Sequence, residues 1–145
     1  METWQINIVL AVIILVTFTY TYKFMPARLL KNKKPFFAPL PKYKTDVTLT
    51  NRIINTTNPL ATLSETLSKL GFTLSKQDET WATYSGGYRL SDFGEHILGG
   101  SPVNIKVAQP ILNPTSIIIE YAWFVVFDTG NLWTFTTKLK SKLSR

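Results

Sequence analysis

A stretch of twenty residues without a charged side chain, Thr3 to Tyr22, constrains the fold of this chain more than any other feature. Its centre, Ile8 to Val16, is an unbroken apolar run. Twenty helical residues rise about 30 Å, which matches the hydrocarbon core of a bilayer. We therefore predict that residues 1–22 form a transmembrane anchor. The side chains expected to line the span are Trp4, Ile8, Val9, Leu10, Val12, Ile13, Ile14, Leu15, Val16, Phe18, Tyr20 and Tyr22.

Two other kinds of segment share this apolar composition. A secretory signal peptide begins with positive charge and ends at small residues, whereas here the first charge is Glu2 and bulky rings stand at Tyr20 and Tyr22. A core helix that is apolar on every side is rare in a small domain. A single membrane-spanning helix that acts as a signal-anchor is therefore the favoured interpretation.

The charges on either side of the span predict its orientation. Cytoplasmic flanks carry excess Lys and Arg within about 15–20 residues of a span. Only the α-amino group beside Glu2 precedes the span, whereas five basic residues follow it, and so we expect the rest of the chain to be cytoplasmic. The same five residues are predicted to contact anionic lipid headgroups, at about 1 kcal/mol each, although the topology rule alone would also account for them. They are Lys23, Arg28, Lys31, Lys33 and Lys34.

Residues 23–44 have the composition of a basic, Pro-rich juxtamembrane linker. They contain seven basic residues, no acidic residue and four of the eight prolines. Proline removes backbone donors and favours extended structure, so we expect a semi-rigid spacer. Phe36 and Phe37 could either enter the membrane interface or pack on the domain.

Residues 45–145 are long enough for one independent core, and we predict a small two-layer α+β domain. Asn58 and Pro59 are a typical N-cap and first helical residue, and leucines follow at helical spacing. The predicted order is a helix, a four-stranded antiparallel meander and a helix, with both helices on one face of the sheet. The elements are a helix at 59–70, strands near 72–75, 81–84, 103–107 and 116–127, and a segment at 132–143 that reads as a helix by its apolar spacing but as a strand by its threonines.

Charge and residue counts exclude several classes of function. Residues 45–137 hold five basic and eight acidic residues, a net charge of −3, so we expect no nucleic-acid partner. The chain has no cysteine, which excludes disulfides, thiolate metal sites and cysteine nucleophiles. Asp92, Glu95 and His96 form the only acid–imidazole group. We interpret them as part of a solvated loop, because a base relay needs three positioned groups.

The segment Val125-Val126-Phe127-Asp128-Thr129-Gly130 resembles the active-site strand of the aspartic proteases, in which two aspartates from two such loops share a proton. The resemblance implies a catalytic role for Asp128. This chain departs from the family pattern, because no second Asp-Thr-Gly exists and no Ser, Thr or Ala follows Gly130. We therefore interpret Asp128 as a residue that closes a turn or caps the last helix. No catalytic residue, metal site or cofactor is predicted, and we expect the chain not to be an enzyme.

These observations predict a single-pass, membrane-anchored accessory or adaptor protein, with its domain presented at the cytoplasmic membrane face for an unidentified protein partner. The alternative is a membrane-tethered domain that binds a lipid or small ligand between its sheet and its helices. An exposed apolar patch on the free face of the sheet would favour the first function, and an apolar pocket would favour the second.

Overall fold

The structure, a computed structural model, describes residues 2–39, 41–87, 102–122, 127–128 and 130–145. Its first element is the helix α1 (Thr3–Phe24), which is long and apolar enough to cross a membrane. The hydroxyls of Thr17, Thr19 and Thr21 each donate to the backbone carbonyl four residues earlier, so these polar groups need no water. Tyr22 is the one buried residue of this helix.

A mixed six-stranded sheet follows α1. The described strands are β1 (Arg28–Leu29), β2 (Ala38–Pro39), β3 (Lys42–Val47), β4 (Thr73–Gln77), β5 (Trp81–Gly87), β6 (Pro102–Ala108), β7 (Thr115–Tyr121) and β8 (Phe127–Asp128). The strand order in the sheet is β1-β3-β7-β6-β5-β4, in which β1 is parallel to β3 and the other neighbours are antiparallel. Strands β2 and β8 form a separate antiparallel pair.

The helices of the domain cover one face of this sheet. They are α2 (Asn51–Ile54), α3 (Pro59–Lys69) and α4 (Asn131–Leu143). Alternate side chains of β6 and β7, such as Ile105 and Ile119, are fully buried in one cluster with Leu67 of α3 and Phe135 of α4. Because strand side chains alternate between faces, the opposite face carries the remaining, mostly polar residues. The α+β class is thereby confirmed.

The sheet has six strands, two more than the sequence predicted. Strands β1 and β3 extend it, and both lie in or across the segment predicted as a linker, so that the expected boundary between residues 44 and 45 falls inside β3. The residues of β3 do alternate: Tyr43, Thr45 and Val47 are buried, whereas Lys44 and Asp46 are exposed. The polar composition of β3 hid this alternation, because Thr45 is buried without being apolar.

Other predicted elements lie close to their expected positions. Helix α3 begins after Asn58, whose side chain accepts a hydrogen bond from the backbone of Ala61 at 3.1 Å. The ambiguous segment 132–143 is helical, and the hydroxyls of Thr136 and Thr137 donate to carbonyls one turn earlier, which accommodates threonine in a helix. Strand β7 lies between β3 and β6 and ends at Tyr121. The predicted loop with Asp92, Glu95 and His96 lies outside the described residues, as do residues 123–126.

Candidate membrane-proximal site

Three long-range hydrogen bonds hold the segment after α1, two of them within residues 22–44 and one from α4. The Tyr22 hydroxyl donates to the backbone carbonyl of Pro41 at 3.2 Å. The backbone N–H of Leu30 donates to the carbonyl of Lys44 at 2.9 Å, which extends the pairing of β1 with β3. Nε1 of Trp133, on α4, donates to the carbonyl of Lys31 at 2.7 Å. The end of this segment, Lys42 to Lys44, also pairs with β7, so the segment is in contact with the sheet and with α4.

This folding creates a cleft of about 170 Å³ beside β1, which we call the basic cleft. Three of the five basic residues predicted to contact anionic lipid, Arg28, Lys31 and Lys33, line it together. No carboxylate of the described residues pairs with any of the three. The remaining lining residues are Leu29, Pro35, Phe37, Tyr43 and Trp133.

The other two predicted lipid contacts lie elsewhere. The side chain of Lys34 packs over Gly130, whose φ of +98° and tight surroundings leave no room for a Cβ. Gly130 is also the N-cap residue of α4, and so Asp128, in β8, does not occupy that position. Lys23 lines a second cavity, on the polar face of the sheet.

The second cavity has a volume of about 290 Å³ and lies where the end of α1 meets the sheet. Glu120 of β7 borders it and bridges two lysines, at 3.1 Å to Nζ of Lys42 and 2.9 Å to Nζ of Lys106. The side chains of Lys42 and Glu120 are only 11% and 13% exposed. The carboxylate is thus fully engaged in ion pairs, which favours a structural role over acid–base chemistry.

Polar pairs elsewhere in the domain are also structural. The hydroxyls of Ser64 and Tyr84 are 2.6 Å apart between α3 and β5, and burial raises the pKa of Tyr84 above its ordinary value. On the polar face, the Ser85 hydroxyl donates to Asn104 at 2.7 Å and lies 3.0 Å from the Ser75 hydroxyl. Among the described residues, no group of three or more His, Cys, Asp or Glu side chains could hold a metal ion.

Sequence reasoning found the cations of the basic cleft but missed its aromatic walls. The run of basic residues after the span pointed to Arg28, Lys31 and Lys33. Nothing local pointed to Trp133, which is a hundred residues away and reaches the cleft only because α4 packs beside β3. Comparison of the chain with protein-family models, with curated proteins and with solved structures finds no match.

Proposed function

We propose that this chain is a single-pass, membrane-anchored accessory or adaptor protein, which holds its domain at the cytoplasmic membrane face to engage a protein partner. The observation that carries the proposal is the short, docked connection between α1 and the sheet. Only Met25 to Ala27 separate α1 from β1, and Tyr22 is bonded to Pro41. A domain joined in this way cannot swing away from the bilayer as one on a flexible tether would.

The expected partner is itself bound to the membrane, since this domain meets only surfaces that lie close to the bilayer. The polar face of the sheet presents the exposed charges Lys44 and Asp46 beside half-buried Thr83 and Ile118. These residues do not form the apolar patch expected of a protein-binding sheet face. Their mixed composition suits a non-obligate interface, which is about as polar as the rest of a protein surface.

Site-specific photo-crosslinking in native membranes tests this function. A photoreactive residue at Thr83, on the polar face, is expected to give one discrete adduct with a membrane protein. The same residue at Ser68, an exposed position on α3, is the matched control and should not give that adduct. Identical adducts from both positions, or none from Thr83, would contradict the proposal.

The orientation of the chain is open to a separate test, because the protein has no native cysteine. Ser144→Cys places one thiol at the exposed C-terminal end. A membrane-impermeant maleimide is expected to label it only after the membrane is permeabilised. Labelling from outside intact cells would reverse the proposed topology.

Membrane-tethered ligand binding is a second candidate, and the basic cleft favours it. The ligand was expected between the sheet and the helices, whereas this cleft lies at the β1 edge of the sheet. Its volume is below the roughly 300–1,000 Å³ typical of a pocket for a whole small molecule. The candidate ligand is therefore a small charged group or one part of a larger molecule.

A further inference from the structure

Exposed apolar side chains gather in the segment that carries the basic cleft. Outside the predicted span, the large apolar side chains exposed among the described residues are Phe24, Leu29, Phe36, Phe37, Leu74 and Leu112. Four of these six lie between residues 24 and 37. Phe36 is 96% exposed, so it does not pack on the domain, which answers a question that the sequence left open. Large apolar side chains gathered on a surface mark an interaction site.

The same segment is rich in cations. Arg28, Lys31 and Lys33 converge on the basic cleft, and no carboxylate of the described residues pairs with them. A guanidinium and two ammonium groups are the donors that suit a phosphate, with arginine able to bind two of its oxygens at once. A liquid water molecule takes up about 30 Å³. The 170 Å³ of the cleft therefore suit a phosphate with its first ester carbons.

The chain connectivity places this cleft near the bilayer surface. Arg28 follows the last residue of α1 by four positions, so its Cα lies within about 14 Å of that of Phe24. The headgroup layer on one side of a bilayer is roughly 5–7 Å thick, and an arginine side chain extends the reach further. Aromatic rings such as Phe36, next to these cations, have the composition of an interfacial membrane contact.

We propose that the basic cleft binds the phosphate of an anionic phospholipid headgroup, while Phe36 and Phe37 enter the membrane interface beside it. This inference deepens the second candidate function and rests on α1 spanning a membrane. The bound lipid fixes the domain at a second point, in addition to α1. A phosphomonoester such as that of phosphatidic acid is preferred, because its charge can exceed one and three cations face it.

Native mass spectrometry of the full-length protein in detergent tests the headgroup site. The probes are short-chain phosphatidic acid, phosphatidylserine and phosphatidylcholine, with inorganic phosphate in a separate arm. Phosphatidic acid is expected to bind as one molecule per chain and more tightly than phosphatidylserine. Equal binding of the two anionic lipids, or several molecules per chain, would show diffuse attraction to charge and overturn the proposal.

Paired variants locate the site. Arg28→Gln combined with Lys33→Gln should lower the affinity for phosphatidic acid about tenfold or more. The matched control, Lys44→Gln with Lys76→Gln, removes two exposed cations elsewhere and should change it less than about twofold. Lys33→Gln alone should still weaken binding if the double variant fails to fold, because Lys33 lies in an exposed bend and makes no hydrogen bond to another described residue. An equal loss in the control pair would overturn the assignment.

Phe36, which is 96% exposed and does not line the cleft, distinguishes the two possible sources of the phosphate. Phe36→Ser should weaken the binding of phosphatidic acid and leave that of inorganic phosphate unchanged. If inorganic phosphate binds as tightly as the lipid and Phe36→Ser changes nothing, the ligand is a free phosphate and the lipid assignment is wrong. These measurements need no protein partner and no membrane orientation, so their failure is distinguishable from failure of the adaptor function.

Discussion

At the scale of single residues, Gly86 shows how a missing side chain sets the packing of an element. Gly86 pairs with Val103 near the end of the pairing between β5 and β6. A Cβ at this position would overlap the backbone carbonyl oxygen of Gly71 and press on Phe72. The corner after α3 can therefore approach the sheet only because residue 86 is glycine.

Gly86→Ala is expected to lower the free energy of unfolding by about 1–3 kcal/mol, because the clash is with backbone that cannot rotate away. Thr73→Ala, at an exposed position on the neighbouring strand β4, is the control and should change it by less than about 0.5 kcal/mol. Thermal melts of the detergent-solubilised protein measure both. Equal melting temperatures for the two variants would mean that the corner relaxes around the added methyl group.

Asp78 makes the stability of the β4–β5 turn depend on pH. One carboxylate oxygen accepts hydrogen bonds of 2.8 Å from the backbone N–H of Thr80, the hydroxyl of Thr80 and the backbone N–H of Trp81. These bonds lower the pKa of Asp78 below its ordinary value of 3.8. A depressed native pKa means that the stabilisation is complete above 3.8 and is lost as the pH falls through the native value.

Asp78→Asn should therefore have a lower melting temperature than the wild type near neutral pH. The two melting temperatures should converge as the pH falls below 3.8. The neutral amide has no charge to strengthen the three hydrogen bonds. Glu79→Gln removes the neighbouring carboxylate, which takes no part in these three hydrogen bonds, and serves as the control for the loss of one negative charge. A difference between Asp78→Asn and the wild type that stays constant with pH would contradict the assignment.

At the scale of elements, Glu120 joins three strands across the polar face of the sheet. It pairs with Lys42 on β3 and with Lys106 on β6. The side chains of Glu120 and Lys42 are the more deeply buried and are almost without access to water. Glu120→Gln leaves Lys42 in that environment without its counter-charge. We expect a loss of about 2–4 kcal/mol in the free energy of unfolding, somewhat below the value for fully buried pairs.

Glu65→Gln provides the matched control for this loss. Glu65 pairs with Lys69 at 2.9 Å on α3, but both side chains are more than 60% exposed. The pairing lowers the pKa of Glu65, yet solvent screens such a pair, so the melting temperature should barely change. Denaturant unfolding of both variants measures the contrast, and equal effects would show that burial does not strengthen the Glu120 bridge.

The elements also show what the sequence could predict. Helix α3 was predictable because its apolar residues repeat at helical spacing and because Asn58 and Pro59 mark its start. For α4 the apolar spacing indicated a helix, but the threonines left a strand equally open. Strand β3 was not predictable, because Lys42 is buried only through an ion pair with Glu120, far along the chain. The cations of the basic cleft were predictable because they are close together in the sequence. The position of Trp133 was not, because it depends on the packing of α4.

At the scale of the whole molecule, the segment between the membrane helix and the domain serves both. Its backbone supplies β1 and the first half of β3, and Tyr43 from it is buried in the core. The same segment exposes Phe36, and its Arg28, Lys31 and Lys33 line the basic cleft. One stretch of chain thus completes the sheet and carries the surface that we propose contacts the membrane, so removal of the segment should affect folding as well as that contact.

A chain of residues 45–145 tests this dual role against a chain of residues 23–145. The shorter chain loses β1, half of β3 and the ring of Tyr43, and it exposes the pairing edge of β7. Losing a buried large aromatic side chain alone costs about 3–5 kcal/mol, which approaches the total stability of many small domains.

In mild detergent we expect a cooperative melt and a monomer for residues 23–145, and aggregation or loss of cooperativity for residues 45–145. Phe36→Ser in the longer chain controls for solubility and should leave the melt unchanged, because this side chain is almost fully exposed. Equal melting temperatures for the two chains would mean that residues 23–44 are only a spacer.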